Sequence, residues 1–446
     1  MQVASPIPQR RILGLIFLTV FMDIIGFSII IPLFPQLLNH YIKLEGDKGT
    51  LIGVLSSVAD LISGPPALKA VLFGGLLSAM YSGLQFIFSP IWGSLSDRYG
   101  RRRILTITLA GNALSYFIWI FAGQFWVVVL TRLICGMMAG NIAVASAAAA
   151  DVTNENERTK GMAVVGIAIG MGFLVGPVIG GLSMAFLKPI YTANLFSTPA
   201  LIAATMAILN FILVQLYFPE TLTEKNRAQH DSKRPSIFDL ANVESRAVQR
   251  TSLANLIYQI AFTGMENTIV FLTFFLFAYS PGDNALLFVF NGLCLISAQG
   301  LARILVKKMG QRGVVMLGMV IAIVAFSIVA FIPDPPCYCP ESSMRWAELL
   351  FYLGMGLLSF ATGLILPSVS ALVSLYSSPS DQGRNLGILR SAGSLARVVG
   401  PLCAAILYFK TGSHHWVYLG GALLMLPALW VVRGLPDPHQ VHKINS

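Results

Sequence analysis

About twelve stretches of roughly 20 mostly apolar residues, each long enough to cross a bilayer as a helix, constrain this chain more than any other feature. They begin near Leu13, Val71, Ile104, Trp126, Met162, Ser197, Leu253, Leu286, Val314, Ala347, Leu386 and Trp416. A sheet cannot supply spans of that length, so all are read as helices. With 55% hydrophobic and 11% charged residues in 446, a soluble domain is excluded. The first stretch follows Arg10 and Arg11 and runs apolar to about Leu38 without a small-residue cleavage site, so it reads as a span and not as a signal peptide.

The net charge of +10 raises nucleic acid as a partner, but the position of the cations decides against it. With a cytoplasmic N-terminus, roughly twenty Lys and Arg fall in or beside inner loops and tails and about six outside, the positive-inside pattern. Basicity here reports topology. Of five Cys, Cys135, Cys294 and Cys403 lie within spans as small core residues. Cys337 and Cys339 share an outer loop, where two residues' separation makes a poor intramolecular disulfide; a free pair or pairing elsewhere remains open. No P-loop lysine motif, zinc spacing or hydrolytic triad occurs, so the chain reads as no enzyme, with no cofactor and no metal.

A charged segment from Pro219 to Arg250 divides the spans six and six. The domains read as an N-terminal bundle 1–219, a cytoplasmic linker 220–250 and a C-terminal bundle with tail 251–446. Half-chain repeats are common in transporters. Gly176-Pro177 in the fifth span matches Gly400-Pro401 in the eleventh, which sets Lys160 against Arg384. "VKKMGQR", Val306 to Arg312, follows the eighth span as "SDRYGRR", Ser96 to Arg102, follows the second. Lys307 then stands where Asp97 would. The long first outer loop, His40 to Ala70, reads as a connecting loop, with a short helix on the membrane surface as the alternative.

An ionisable side chain inside a span costs on the order of 3 kcal/mol or more, so each is a candidate functional residue. Asp23, Arg132, Glu266, Arg390 and Arg397 are the cases here, in the first, fourth, seventh and eleventh spans. The third, sixth, ninth and twelfth have none, and are expected to be purely apolar and to face lipid. Arg390, Ser394 and Arg397 share a helical face, as do Asn255, Gln259, Glu266 and Thr273, and Ser78, Ser82, Gln85 and Ser89. Arg397, Arg390, Ser394, Gln259 and Gln85 are the substrate-binding candidates, and Asp23, Glu266 and Arg132 the proton-coupling candidates. The alternative is that these carboxylates pair with Arg to hold helices together. Three Arg against two carboxylates leave the cavity net positive, which suits an anion. Gly172, Gly176, Pro177, Gly180, Gly400 and Pro401 are candidates for helix bending or for close packing.

Gly93, Leu95, Asp97, Arg98, Gly100, Arg101 and Arg102 match G-x-L-x-D-R-x-G-R-R, the loop between the second and third helices of the major facilitator superfamily. Arg132 with Gly136 and Gly140 resembles its fourth-helix motif. "GFLVGPVIGG" resembles the fifth-helix motif of its antiporters, with Ala163 in place of the more N-terminal glycine. "MDIIGFSIIIPLFP" and "PET", Pro219 to Thr221, are similar to segments of its drug/proton antiporters, and "GMENTIVFLT" and "LRSAGSLARVVGPL" look like its tetracycline-transporter-like members from animals. The resemblance implies an all-α membrane protein of twelve helices in two six-helix bundles. It implies an antiporter for small organic anions, coupled to protons or a counter-anion, a monomer in the lipid bilayer of the plasma or inner nuclear membrane, with cytoplasmic termini and no nucleic-acid partner. Efflux of cationic drugs, or a scaffold without transport, are the alternatives. Gly93, Asp97, Arg98, Gly100, Arg101 and Arg102 are read together as a conformational latch, in which Asp97 accepts from Arg98, Arg101 or a helix N-terminus.

Overall fold

The computed structural model describes residues 8–45, 49–62, 64–153, 158–221, 243, 245–333, 341–377 and 382–436. Cys337, Cys339 and the side chains of Lys160, Ala163 and Arg384 lie outside the described residues. The described chain is helical. The helices are α1 (Gln9–Ser28), α2 (Phe34–Glu45), α3 (Leu51–Leu61), α4 (Lys69–Tyr99), α5 (Arg101–Ile120), α6 (Phe125–Met138) and α7 (Asn141–Asp151). They continue with α8 (Arg158–Phe186), α9 (Ser197–Tyr217), α10 (Arg246–Phe277), α11 (Pro281–Ala330), α12 (Glu341–Tyr376), α13 (Gln382–Thr411) and α14 (His414–Arg433).

These helices account for every expected span. The first is α1 and α2, interrupted by a 3-10 turn at Ile31–Leu33 where Pro32 supplies no N–H. The fourth is α6 and α7. The eighth and ninth are the two parts of α11, 281–309 and 311–330, separated by Gly310 at φ 70°, ψ 170°. Helix α10 starts at Arg246, so residues 246–250 belong to the seventh span.

The outer loop differs from its reading as a plain connection. Residues Leu51–Leu61 form a helix capped by the Thr50 hydroxyl, which accepts from the Gly53 N–H at 3.3 Å. Its inner face buries Ile52, Ser56 and Ala59, while Leu51, Val54, Val58 and Leu61 form an exposed apolar stripe.

Within the N-terminal bundle α1 packs on α8, and α5 on α9; in the second bundle α10 packs on α13, and α11 on α14. The two bundles meet along α4 with α13 and α8 with α11. Helices α5, α9 and α14 keep large apolar residues exposed, among them Leu114, Phe117, Leu209, Leu216, Leu426 and Trp430. The lack of charge along their middles does not make them purely apolar, however. Asn112 and Ser115 of α5 and Asn210 of α9 are buried, pointing into the bundle.

The seam between bundles closes at one end only. At the end away from the linker, Gly75 lies against Ala405 and the Pro401 carbonyl, and Gly181 against Pro281 and Ala285. Toward the linker end, a Cβ placed on Gly166, Gly170 or Gly300 would meet nothing within 4 Å. Ile167, Met171, Ile296 and Ile304 are exposed there. Gly170 shares its face of α8 with Leu174, which does touch Gly292 of α11, so the helices part between those two levels.

Candidate functional site

Asp23 is the charge on α1, and its Oδ1 accepts two carboxamide N–H groups, from Asn112 at 2.9 Å and Asn141 at 3.0 Å. Thr108 in turn donates to the Asn141 Oδ1. Neither amide is marked in the sequence by charge. Asn112 is legible only as a polar residue inside an otherwise apolar span, and Asn141 as the residue after Gly140.

Arg132 on α6 is 2% exposed, and its guanidinium lies 5.3 Å from the Trp119 ring centroid. Its Nε and Nη2 are buried without a hydrogen-bond partner. A buried cation without an anion is costly, so this arrangement needs the ring face and the field of nearby carboxylates. Arg397 on α13 reaches across the seam, its guanidinium 5.7 Å from the Phe173 ring of α8. Phe173 meets Phe27, which in turn lies 4.6 Å from Tyr81 between ring centroids. Asp23, Arg132 and Arg397 all act electrostatically on Tyr81, and Arg397 on Glu266.

Of the sequence candidates Arg397 crosses the seam, while Asp23 and Arg132 contact partners within the N-terminal bundle. Among the described residues the ion pairs are Lys69 with Asp60, and Arg101 with Asp97 and Asp151. None joins Asp23 or Glu266 to an arginine; Asp23 instead links α1 to α5 and α7 through the two amides. Arg390 is exposed, on the side where the bundles part, and its own carbonyl accepts from Ser394 at 3.2 Å. Gln259 lies against Gly393, and Gln85 is half-buried on α4. Thr273 departs from the expected stripe, donating to Val270 O at 3.1 Å and to the Asn284 Oδ1 of α11 at 2.8 Å. A link across the seam that sequence reading missed is Ser78 donating to Asn267 at 2.6 Å.

The expected bending residues pack closely. A Cβ at Gly172 would sit 2.6 Å from Ile24 Cβ, and Gly176 and Gly180 lie against Ser28 and the Ile29 carbonyl, so α8 and α1 touch backbone to backbone. Gly400 lies against Thr263 and the Ile260 carbonyl in the same manner, and α8 and α13 each run as one helix through Pro177 and Pro401. Of the cysteines, Cys135 is buried, Cys294 half-buried, and Cys403 exposed, against its expected core position.

At the linker end Arg101, 2% exposed, is the centre of a hydrogen-bonded cluster within the expected latch segment. Its guanidinium donates to Asp97, to Ser96 Oγ at 2.7 Å and to Asp151 at 2.8 Å. The helix N-terminus it opens is capped by Glu220, whose carboxylate accepts from the Arg101 N–H at 2.9 Å. Gly100 holds φ 101°, a conformation costly for any residue with a Cβ. Gly93 is buried and its carbonyl accepts from Ser96. Arg98 is exposed over the Tyr99 ring and not bonded to Asp97. Asp151, at the end of α7, was not singled out from sequence, and Glu220 entered there only as part of "PET", without this capping role.

The second bundle repeats the turn without the ion pair, since Lys307 and Gln311 stand where Asp97 and Arg101 would. Gly310 has φ 70°, matching Gly100, and Arg312 donates to the Arg433 carbonyl at the end of α14 as Arg102 does to the Gln215 carbonyl of α9. Lys307, in the place of Asp97, is exposed.

A family model described as Major Facilitator Superfamily matches residues 16–356 and 254–446. The chain belongs to the Major Facilitator Superfamily. As a member it is one of a family of membrane transporters, which are not enzymes. Among superfamily members, mouse Major facilitator superfamily domain-containing protein 10 is 30% identical over 95% of this chain and 93% of its own length. Tetracycline resistance protein, class E, of Escherichia coli is 28% identical over 98% of each. The crystal structure of the human organic anion transporter MFSD10 (TETRAN) superposes with a TM-score of 0.74 at 27% identity, covering 96% of this chain and 100% of that one.

Proposed function

We propose that this superfamily member moves small organic anions across a membrane by alternating access, in exchange for protons or a counter-anion. The observation that carries the reading is charge without ion pairing: Arg132, Arg397 and Asp23 all act on Tyr81 and Arg397 on Glu266, with no ion pair among them, and Arg390 is exposed where the bundles part. Cations so placed can take the anionic group of a substrate, and carboxylates beside them can exchange protons as that charge comes and goes. Arg397 and Arg390 hold the anion, with Ser394, Gln259 and Gln85 as neutral hydrogen-bonding groups around it. Glu266 and Asp23 carry the proton exchange, and Arg132 tunes Asp23. The similarity to a human organic anion transporter supports the substrate class.

Purified protein in liposomes, given labelled organic anions with and without a pH gradient, tests this directly. Glu266→Gln is expected to abolish pH-dependent exchange while the protein stays folded; unchanged pH dependence removes Glu266 from the mechanism. The similarity to tetracycline resistance proteins and two carboxylates without a cation partner favour a second reading, efflux of cationic drugs. Cation binding that survives Arg397→Ala would select it. Cytoplasmic termini, with the linker end facing the cytosol, follow from the positive-inside pattern.

A further inference from the structure

The fourth span is not one helix. Helix α6 ends at Met138 and α7 begins at Asn141, with Ala139 at φ −72°, ψ 41° between them. No proline causes this. The interruption is held by side chains instead: the Trp92 indole N–H donates to the Met137 carbonyl at 2.6 Å, and Gly140 lies directly under the Trp92 side chain. The first residue past the break, Asn141, is 1% exposed and is one of the two amides on Asp23.

We propose that Asn141 is a positioning residue that ties the second half of the fourth span to Asp23, so that the break at Ala139–Gly140 works as a joint operated by the proton on Asp23. This rests on the proton-exchange reading above. An N–H bonded to a carboxylate is held roughly twice as strongly as one bonded to a neutral carboxyl. Protonation of Asp23 therefore loosens both amides, with unequal consequences. Asn112 sits within continuous α5, so its release moves no backbone. Asn141 sits at a helix end just past the interruption, so its release removes the polar tie between α7 and α1 and leaves only their apolar packing. Half-helices broken near the membrane middle are where transporter folds place their coupling sites.

The surroundings of Asp23 leave it as the group that changes. Tyr81 from α4, Tyr116 from α5, Arg132 and Cys135 from α6 and Arg397 from α13 are the other ionisable groups acting on this pocket. Helices α8 and α9 meet this part of α1 with Gly172 and with Asn210, whose amide donates to the Thr19 carbonyl at 2.8 Å.

The test is a spin-label distance across the break, between Leu130→Cys and Ala147→Cys, about 25 Å for a straight helix, with the native cysteines replaced by serine. It is read at pH 5.5 and pH 8 beside pH-driven uptake in the same liposomes. The expected result is a pH-dependent shift in the parent protein and in Asn112→Ala, and loss of that shift in Asp23→Asn, Asn141→Ala and Asn141→Gln. A shift that persists in both Asn141 variants overturns the joint. So does a fourth span that does not move with pH while uptake stays pH-driven, and in that case the proton coupling stands. A shift and a pH-driven uptake that both survive Asp23→Asn remove Asp23 from the joint and from the proposed function alike.

Discussion

Arg101 shows how much one side chain can carry at the linker end. Two carboxylates and a serine hydroxyl share its guanidinium, and its own N–H is capped by Glu220. Arg101→Ala removes the guanidinium that Asp97 and Asp151 share and is expected to cost roughly 3–5 kcal/mol, the range for breaking a buried pair from one side. A lowered thermal midpoint in detergent checks this, and Arg101→Lys should recover only part, since lysine has no fork to reach both acids. Asp97→Asn keeps an acceptor but removes charge, loosening the cluster in the state open at the linker end. It is expected to lower the share of molecules in that state, read as slower labelling of a cysteine at Gly170. Equal labelling would reduce the segment to an anchor. The second bundle keeps the glycine turn and Arg312 in the place of Arg102, but Lys307 and Gln311 stand where Asp97 and Arg101 would, so a latch built on that ion pair would be one-sided.

At the level of elements, glycine spacing turns out to set how closely helices approach. Gly172, Gly176 and Gly180 recur every fourth residue and put α8 in backbone contact with α1. Gly180→Ala forces a methyl onto the Ile29 carbonyl and is expected to destabilise by about 1–3 kcal/mol, the usual cost of overpacking. Gly166→Ala, on the same helix but over open space, should be neutral or slightly stabilising through helix propensity alone. Thermal unfolding of the two variants side by side decides it; equal losses would mean that propensity and not packing governs α8. The same comparison explains why the breaks of the fourth span and of the first were unequally legible. Pro32 announces the interruption after α1, whereas the one after Met138 is made by Trp92 and Asn141, which no local pattern marks.

For the whole molecule, the parting of the bundles at one end predicts accessibility. Cysteines placed at Gly170 or Gly300 are expected to react with a membrane-impermeant maleimide added from the linker side, and a cysteine at Ala405 to stay protected until the seam reopens. Labelling of Ala405→Cys from the opposite side without substrate would contradict the described arrangement. In that arrangement the residues that tie the bundles together, Ser78 with Asn267 and Gln36 with the Tyr279 carbonyl, must separate when the far end opens. The apolar stripe of α3 stands at that far end, beside Pro65, which lies against Gly412 of the other bundle.

Span count, repeat and latch turn were all readable from the chain, because each rests on a local requirement. A bilayer demands twenty apolar residues at a time, and a positive φ demands Gly100 and Gly310. Charges within spans were readable too, since their cost makes Asp23, Arg132, Glu266 and Arg397 conspicuous in so apolar a sequence. What folding alone decided is which of them meet. Asn112 and Asn141 lie 89 and 118 residues from Asp23, and as neutral amides they disturb hydropathy too little to be noticed. That the arginines face rings rather than carboxylates, and that glycines pack rather than merely punctuate, depends on helix rotation and depth. Those are set by the fit of whole helices against one another, which no single stretch of residues contains.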